Sequence, residues 1–473
     1  MNGLSRRDFL RLTAISTTVV LTGGNPIMGS VKGEKVFDPD KLPNVVVMIT
    51  DDQRFDTIRA LGNENIVTPN MDSIVQNGVS FTHAYIMGSM NGAVCMPSRA
   101  MLMSGRTLFR VPDDLSNTIT FPEVLKNAGY TTFGVGKWHN QPSSFARCFT
   151  GGDKIFFGGM SDHLKVPVYD FDPSGKYTIN SSYIGEKFSS ELFSDAAVKF
   201  LNEYDGKKPF LLYVAYTAPH DPRTPPQKYK DMYDPKKIPV PKNFMPEHPF
   251  DNGEMHIRDE ELAPFPRIPE IIQKHIAEYY GMITHLDAEI GKILTTLNEK
   301  GYADDTIIVF AGDNGLALGQ HGLMGKQSLY EHSIRVPLII SGPGVPKGKR
   351  SDAFCYLLDI FPTICDLTWL PVPKTVEGLS LVPVITGKKQ EARYTLYFAY
   401  KDFQRAVRNE RYKLIEYNVN GKRTTQFFDL FADPLELSNL SEDAAYSRYL
   451  KRLKKELIRW QDEVDDPYKL SYR

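Results

Sequence analysis

Residues 44–52 read NVVVMITDD, and this stretch decides the fold. Asn44 to Thr50 is an unbroken apolar run rich in β-branched residues, too short for a typical helix and without the alternation of a strand that faces water. It predicts a strand buried on both faces, which is characteristic of a parallel sheet. Two aspartates, Asp51 and Asp52, follow at once, so the strand delivers carboxylates at its C-terminal end. The same arrangement recurs along the chain. TTFGVGKWH (131–139) predicts a strand running into Lys137 and His139, PFLLYVAYTAPH (209–220) a strand ending at His220, and DDTIIVFAGDNG (304–315) a strand delivering Asp313 and Asn314.

Helical patterns separate these strands. TFPEVLKNAGY (120–130) has Thr120 and Glu123 at capping-box spacing and Gly129 at its stop. FSSELFSDAAVKFLNEY (188–204) is amphipathic at helical spacing, and a long helical pattern runs from Pro269 to Lys300. Strands alternating with helices predict an α/β fold, a mostly parallel sheet with helices on both faces. In open sheets of that kind ligands bind beyond the C-terminal strand ends. A single Asp or Lys there reads as a turn former, but four polar strand ends on one edge point to a site.

Past RVPLIISGPG (335–344), another strand, LLDIFPTICDL (357–367) predicts a helix containing Asp359 and Phe361, with Cys355 and Cys365 on or next to it. Residues 368–393, rich in Pro, Gly and Thr, read as a linker. TLYFAY, RAVRNERYKLIEYNV and TTQFFDLFADPLELSNL then give short strands, and YLKRLKKELIRW a basic helix with a solvated face. The expected division is a catalytic α/β domain over 40–375 and a small subdomain over 390–473, an antiparallel sheet with one packed helix.

The chain has 473 residues, 56 Lys and Arg against 57 Asp and Glu, and a formal net charge of −1. That balance argues against nucleic acid as the main partner. Four cysteines do not make a disulfide framework. Residues 1–30 read as an export signal: Ser5, Arg6, Arg7, Asp8, Phe9, Leu10 resembles the twin-arginine type and precedes a short apolar run. No cysteine precedes Cys95, so no lipid anchor on a processed N-terminal cysteine is expected. The expected location is periplasmic or secreted, without a stable membrane anchor.

One cysteine is closely framed. In CMPSRAMLMSGR (95–106), Pro97 suits the first turn of a helix, which puts Cys95 near its positive end with Arg99 one turn away. Such a place favours a thiolate or binds an anion; the plainer reading is a small buried residue before a core helix. Asp51, Asp52, Asp313 and Asn314 are hard oxygen donors suited to calcium or magnesium. Arg99, Lys137, His139, His220 and Lys326 are able to hold an anion beside it. A metal with so many cationic groups suggests transfer of a tetrahedral oxyanion. Thiolate phosphatases place an arginine six residues after the cysteine, where this chain has Met101, and a thiolate is a soft partner for a hard cation.

CMPSRAMLMSGR is similar to the signature of the type I sulfatases, CxPSRxxxxxGR, and the resemblance extends from NVVVMITDDQ to FFDLFADPLELSNL. It implies an alkaline-phosphatase-like α/β fold with a smaller C-terminal sheet. It also implies that a maturase oxidises Cys95 to formylglycine, before export if the twin-arginine route is used. By the same resemblance calcium is held by Asp51, Asp52, Asp313, Asn314 and modified Cys95. Arg99, Lys137, His139, His220 and Lys326 line the sulfate pocket, matched through GKWH, TAPH and GKQSLYEHSIRVP. The hydrated aldehyde attacks sulfur, His220 with Lys326 protonates the leaving oxygen, and His139 removes the second hydroxyl's proton to expel sulfate. The implied substrate is a sulfated poly- or oligosaccharide. The alternatives are a phosphodiester or phosphonate monoester hydrolase of the same fold, and a catalytically silent glycan-binding protein. Within the long segment 221–268, Arg223, His248 and His256, with Asp162 and His163 from elsewhere, either read sugar groups or are ordinary loop polarity.

Overall fold

A computed structural model describes residues 42–470; the expected export segment lies outside the described residues. The apolar runs assemble into one eight-stranded sheet. Its strands are β1 (Asn44–Thr50), β2 (Gly78–Phe81), β4 (Thr131–Lys137), β5 (Gly151–Phe156), β6 (Phe210–Ala215), β7 (Thr306–Gly312), β8 (Leu338–Ser341) and β9 (Lys349–Ser351). β3 (Gly88–Ser89) belongs to a second sheet. The order is β9-β2-β8-β7-β1-β6-β4-β5, and only β8 runs antiparallel to its neighbours. β1 lies between β7 and β6, so its polar end is central.

Both faces of the sheet are buried, as the continuous apolar runs require. Val45, Val47 and Ile49 of β1 enter one core, shared with helices α2 (Cys95–Ser104), α3 (Phe121–Asn127) and α6 (Ile360–Leu367). Val46 and Met48 enter the other, shared with α1 (Pro69–Gln76), α4 (Ser189–Glu203) and α5 (Pro269–Glu299). The α3 capping box forms as expected: Thr120 N–H donates to Glu123 Oε2 at 3.1 Å.

Three expectations need correction. The run 209–220 is a strand only over Phe210–Ala215; the Tyr216 N–H still reaches the Ile49 carbonyl of β1 at 2.8 Å, and from Thr217 the chain turns, with the His220 N–H donating to the Thr217 carbonyl at 3.1 Å. Asp359 lies in a short 3₁₀ turn, Leu357–Asp359, ahead of the helix rather than in it. Residues 368–393 are not a free linker: Val382–Ile385 is helical, Leu381 is fully buried, and Arg393 pairs with Asp359. Cys355 and Cys365 are separate buried thiols, the first in a two-residue strand and the second in α6.

The C-terminal sheet has the order β13 (Lys422–Asp429), β12 (Tyr412–Val419), β11 (Gln404–Arg408), β10 (Leu396–Tyr400), β3. Its hairpins are antiparallel, whereas β3 joins β10 in parallel. Gly88 has φ 114°, and a Cβ there would lie 1.9 Å from the Ala399 carbonyl oxygen, so only glycine allows this approach. The segment leading to Cys95 is thereby stitched into the smaller sheet. Helix α7 (Ser447–Glu463) packs on β11 and β12 through Leu453 and Leu457, with Lys454 pairing with Glu416 of β12 and Lys451, Arg452, Lys455 and Arg459 exposed. No helix among the described residues is long and apolar enough to cross a membrane.

Candidate active site

The polar strand ends meet beyond the C-terminal edge of β1, β4 and β7. Asp51 and Asp52 directly follow β1; the Asp52 N–H donates to Asp313 Oδ1 at 3.0 Å, which ties the ends of β1 and β7 together. Lys137 is the last residue of β4. The pairing of β4 with β5 shifts register between Val135 and Gly136, a bulge of the kind that re-aims side chains beside active sites. Asp52 and His139 both have left-handed backbones, φ 63° and 64°, which non-glycine residues rarely adopt.

Helix α2 begins at Cys95 and is held onto this edge. Ser98 Oγ donates to the Asp313 carbonyl at 2.5 Å, Arg99 Nε to Asp313 Oδ2 at 2.8 Å, and Arg99 Nη1 to the Lys137 carbonyl at 2.7 Å. Around Cys95 Sγ stand His139 Nδ1 at 3.3 Å, Lys137 Nζ at 3.6 Å and Lys326 Nζ at 4.0 Å. Lys137 pairs with Asp51 at 2.5 Å and Lys326 with Asp52 at 2.7 Å. Asn314 Nδ2 donates to Asp52 Oδ1 at 2.7 Å, and His220 Nε2 lies 3.6 Å from Asp52 Oδ2. The expected metal and sulfate-pocket residues fall in one connected cluster, all of them buried except His139, which is half-buried.

Three buried atoms of this cluster have no hydrogen-bond partner: Asp51 Oδ1, Asn314 Oδ1 and Arg99 Nη2. Unpaired groups at this depth are costly unless a ligand satisfies them. The two orphaned oxygens suit a hard divalent cation, and the orphaned guanidinium N–H suits an anion. Ligand atoms of Asp51, Cys95 and Asp313 lie within 4.8 Å of one another, as do those of Asp51, Asp52 and His220. The residues present therefore fit a calcium-type ion.

Electrostatics follows from burial and crowding. Burial, then repulsion from Asp51, raises Asp313 to about 6 despite Arg99. Burial would also raise Asp52, but Lys326 and His220 outweigh it and hold the carboxyl well below its ordinary range. Burial lowers Lys326, yet Asp52 more than reverses this and keeps its ammonium charged. Burial and then Lys137 push His139 far below the usual histidine value, while burial, opposed by Asp52, takes His220 to about 3. Both rings are thus neutral.

Of the readings of Cys95, the buried residue at a helix start holds: burial pushes its thiol up to about 11, and Lys137 and Lys326 offset only part of that. An unmodified Cys95 is a neutral thiol in a site built for oxygen chemistry.

Sequence reading missed several supporting groups. The Gly159 carbonyl accepts from Lys137 Nζ at 2.5 Å, and a Cβ on Gly159 would lie 2.8 Å from His139 Nε2. Nothing in a lone glycine of an irregular stretch signals this. Of the loop residues considered, His163 backs the site, with Nε2 2.9 Å from the His220 carbonyl and Nδ1 2.7 Å from Ser189 Oγ. His248 is structural, contacting the Phe250 carbonyl and Tyr330 hydroxyl. His256 is exposed, and Asp162 accepts from the Leu164 N–H in a turn. Arg223 is buried near His275 with its Nε unpaired. A cleft of about 960 Å³ between α7 and the 352–358 and 391–395 segments is lined by none of the residues of the cluster.

Comparison with known proteins places these features. The family model described as Sulfatase matches residues 43–369, and that described as N-sulphoglucosamine sulphohydrolase, C-terminal, matches residues 319–463. The chain is 27% identical to an N-acetylglucosamine-6-O-sulfatase of Bacteroides thetaiotaomicron, over 91% of this chain and 87% of the relative. A solved chain in complex with its substrate D-glucosamine-2-N,6-O-disulfate superposes with a TM-score of 0.78 at 25% identity, covering 91% of this chain and all of that one. The phosphonate monoester hydrolase of Agrobacterium radiobacter shares the fold, with a TM-score of 0.72 at 21% identity over 89% of this chain and 96% of its own.

Proposed function

Because this chain belongs to the sulfatase family, we propose that it removes sulfate from a sulfated carbohydrate, using formylglycine made from Cys95 and a calcium ion. The observation that carries this reading is the set of orphaned atoms, Asp51 Oδ1, Asn314 Oδ1 and Arg99 Nη2, gathered in the pocket of Cys95. Asp51, Asp52, Asp313, Asn314 and the modified Cys95 would hold the calcium. When bound, that ion supplies positive charge for the sulfate oxygens and formylglycine supplies an oxygen nucleophile.

The rest is done by side chains of this chain. Arg99, through its free Nη2, and Lys137 hold and neutralise sulfate oxygens. His139, with Nδ1 3.3 Å from Cys95 Sγ, stands where a base for the second hydroxyl is needed. Lys326 keeps its proton and His220 is neutral, so Lys326 is the charged donor for the leaving oxygen. His220 Nδ1 donates to the Asp221 carbonyl at 2.8 Å, which fixes the ring with Nε2 toward the pocket side of Asp52. A pH–rate profile unchanged by His139→Ala would remove the base role.

The carbohydrate class is supported by the relatives, one an N-acetylglucosamine-6-O-sulfatase and one bound to a sulfated glucosamine. The phosphonate monoester hydrolase shares the fold and makes the rival reading concrete. Turnover of 4-nitrophenyl sulfate, an aryl phosphodiester and a panel of sulfated sugars separates them. We expect kcat/KM to favour sulfates; preference for the phosphodiester would replace this reading. A protein that binds sulfated sugars without turnover would support the silent alternative. Export by the twin-arginine signal, with maturation before it, is part of the same proposal, and loss of export in Arg6→Lys with Arg7→Lys checks it.

A further inference from the structure

The segment after His220 and the segment around Lys326 are joined by a polar bridge outside the buried cluster. Arg258 donates to both Asp221 carboxylate oxygens, with Nη1 3.2 Å from Oδ1, and Nη1 also lies 2.9 Å from Asp259 Oδ1. Asp259 Oδ2 accepts from Gln327 Nε2 at 2.8 Å, and the same amide reaches the Gly92 carbonyl at 3.0 Å. The bridge therefore runs from the neighbour of His220 to the neighbour of Lys326, the donor for the leaving oxygen, and touches the loop just before Cys95. It is also the more open layer. The side chains of Arg258 and Asp259 are 46% and 16% exposed, against 4% for Lys326 and 6% for Asp52.

We infer that Asp259, fixed by Arg258 and Gln327, is a specificity residue that accepts hydrogen bonds from hydroxyl groups of the departing sugar. The inference rests on the carbohydrate reading above. Each Asp259 oxygen accepts one of the hydrogen bonds named here, and a carboxylate oxygen has room for two. The two remaining positions lie on one rigid carboxylate, the spacing that two neighbouring hydroxyls of a pyranose present. Arg258 offsets one of the two negative charges of Asp221 and Asp259, so a carboxylate or second sulfate in that place would still meet a net negative charge and be disfavoured. The favoured leaving group is therefore a polyhydroxylated ring with its hydroxyls free on this side, not a uronate or a doubly sulfated ring.

The test is a cycle on full-length matured enzyme. Wild type, Asp259→Asn and Arg258→Gln are assayed with 4-nitrophenyl sulfate, with monosulfated methyl glycosides of glucose, galactose and glucosamine, and with monodeoxy versions of the best of these. Asp259→Asn should lower kcat/KM on the best sugar sulfate about 10- to 100-fold, the range for a lost hydrogen bond to a charged group. It should leave 4-nitrophenyl sulfate within about threefold, since that leaving group has no hydroxyl to bind. Arg258→Gln should change both substrates in the same directions. Removing the contacted hydroxyl should lower wild-type turnover by a similar factor and leave Asp259→Asn unaffected. Equal losses on both substrate types would mean that Asp259 acts through Lys326, and would overturn the inference, as would no loss on either. A wild type that hydrolyses 4-nitrophenyl sulfate but no sugar sulfate would instead overturn the carbohydrate reading, and this inference with it.

Discussion

Two regions of this molecule bury charge, and they do so differently. At the edge of the large sheet Asp51, Asp52, Asp313, Arg99, Lys137 and Lys326 pair with one another, yet Asp51 Oδ1 and Arg99 Nη2 are left over. Where the small sheet meets the large domain, Glu331 takes Tyr85 at 2.7 Å, Arg408 at 3.0 Å and Lys413 at 3.1 Å, and Lys413 also takes Glu436 at 2.7 Å. There each buried charge has an opposite partner from another part of the chain, and the one atom of the network without a hydrogen bond, Glu436 Oε1, still lies 2.7 Å from Lys413 Nζ. The difference teaches what each is for. The closed network fixes how the two sheets dock, whereas the open one is incomplete until a cation and an anion arrive.

The largest effect expected from that contrast is on turnover. Cys95→Ala should lower kcat by about 10⁴-fold or more, as loss of a nucleophile does, with little change in the unfolding midpoint. Comparable activity in this variant would break the contrast at its open end. Next, Glu331→Ala should cost about 3–5 kcal/mol in denaturant unfolding, because Arg408 and Lys413 are left buried without their counter-charge. The folded fraction should keep its kcat, and a selective loss of kcat instead would mean the closed network is part of the site.

A smaller effect separates the regions by ligand. Calcium at 100 times its Kd should stabilise the wild type by about 2.7 kcal/mol over the chelated protein, read by thermal unfolding. Asp51→Asn should lose most of that response, and in chelator it should itself be less stable than wild type, because Lys137 is left buried without its counter-charge. Glu331→Gln should keep the calcium response. The smallest effect is on pH. Burial raises the Glu331 carboxyl, but Arg408, Lys413 and Arg335 outweigh it and hold it well below its ordinary value. A depressed carboxyl contributes stability that is full above its unfolded value, about 4.5, and is lost as pH falls below it. Unfolding measured from pH 6 down to 3 should therefore steepen below pH 4.5 in wild type and flatten in Glu331→Gln.

The open region was legible in the sequence for a physical reason. A strand buried on both faces must be apolar throughout, so Asp51, Lys137 and Asp313 at the strand ends stand out sharply against it. His220 was read as the end of a strand that stops at Ala215, and the TAPH motif marked it as well. At Cys95 the sequence shows the helix start but not the depth of burial that works against a thiolate there. The closed region was not legible: Glu331, Arg408, Lys413 and Glu436 are spread over a hundred residues of ordinary charge pattern, and only the docking of the two sheets brings them together. Gly159 and the Arg258–Asp259 bridge lie in irregular segments, where no period constrains which residues converge.

The central claim is that Cys95 is converted into an oxygen nucleophile held by the open cluster. Peptide mass spectrometry across residues 95–106, on protein from a host with a formylglycine maturase, tests it most directly. The account predicts loss of the thiol and the mass of an aldehyde at position 95, in a protein that hydrolyses sulfate esters. An intact thiol at Cys95 in protein that is fully active would contradict it.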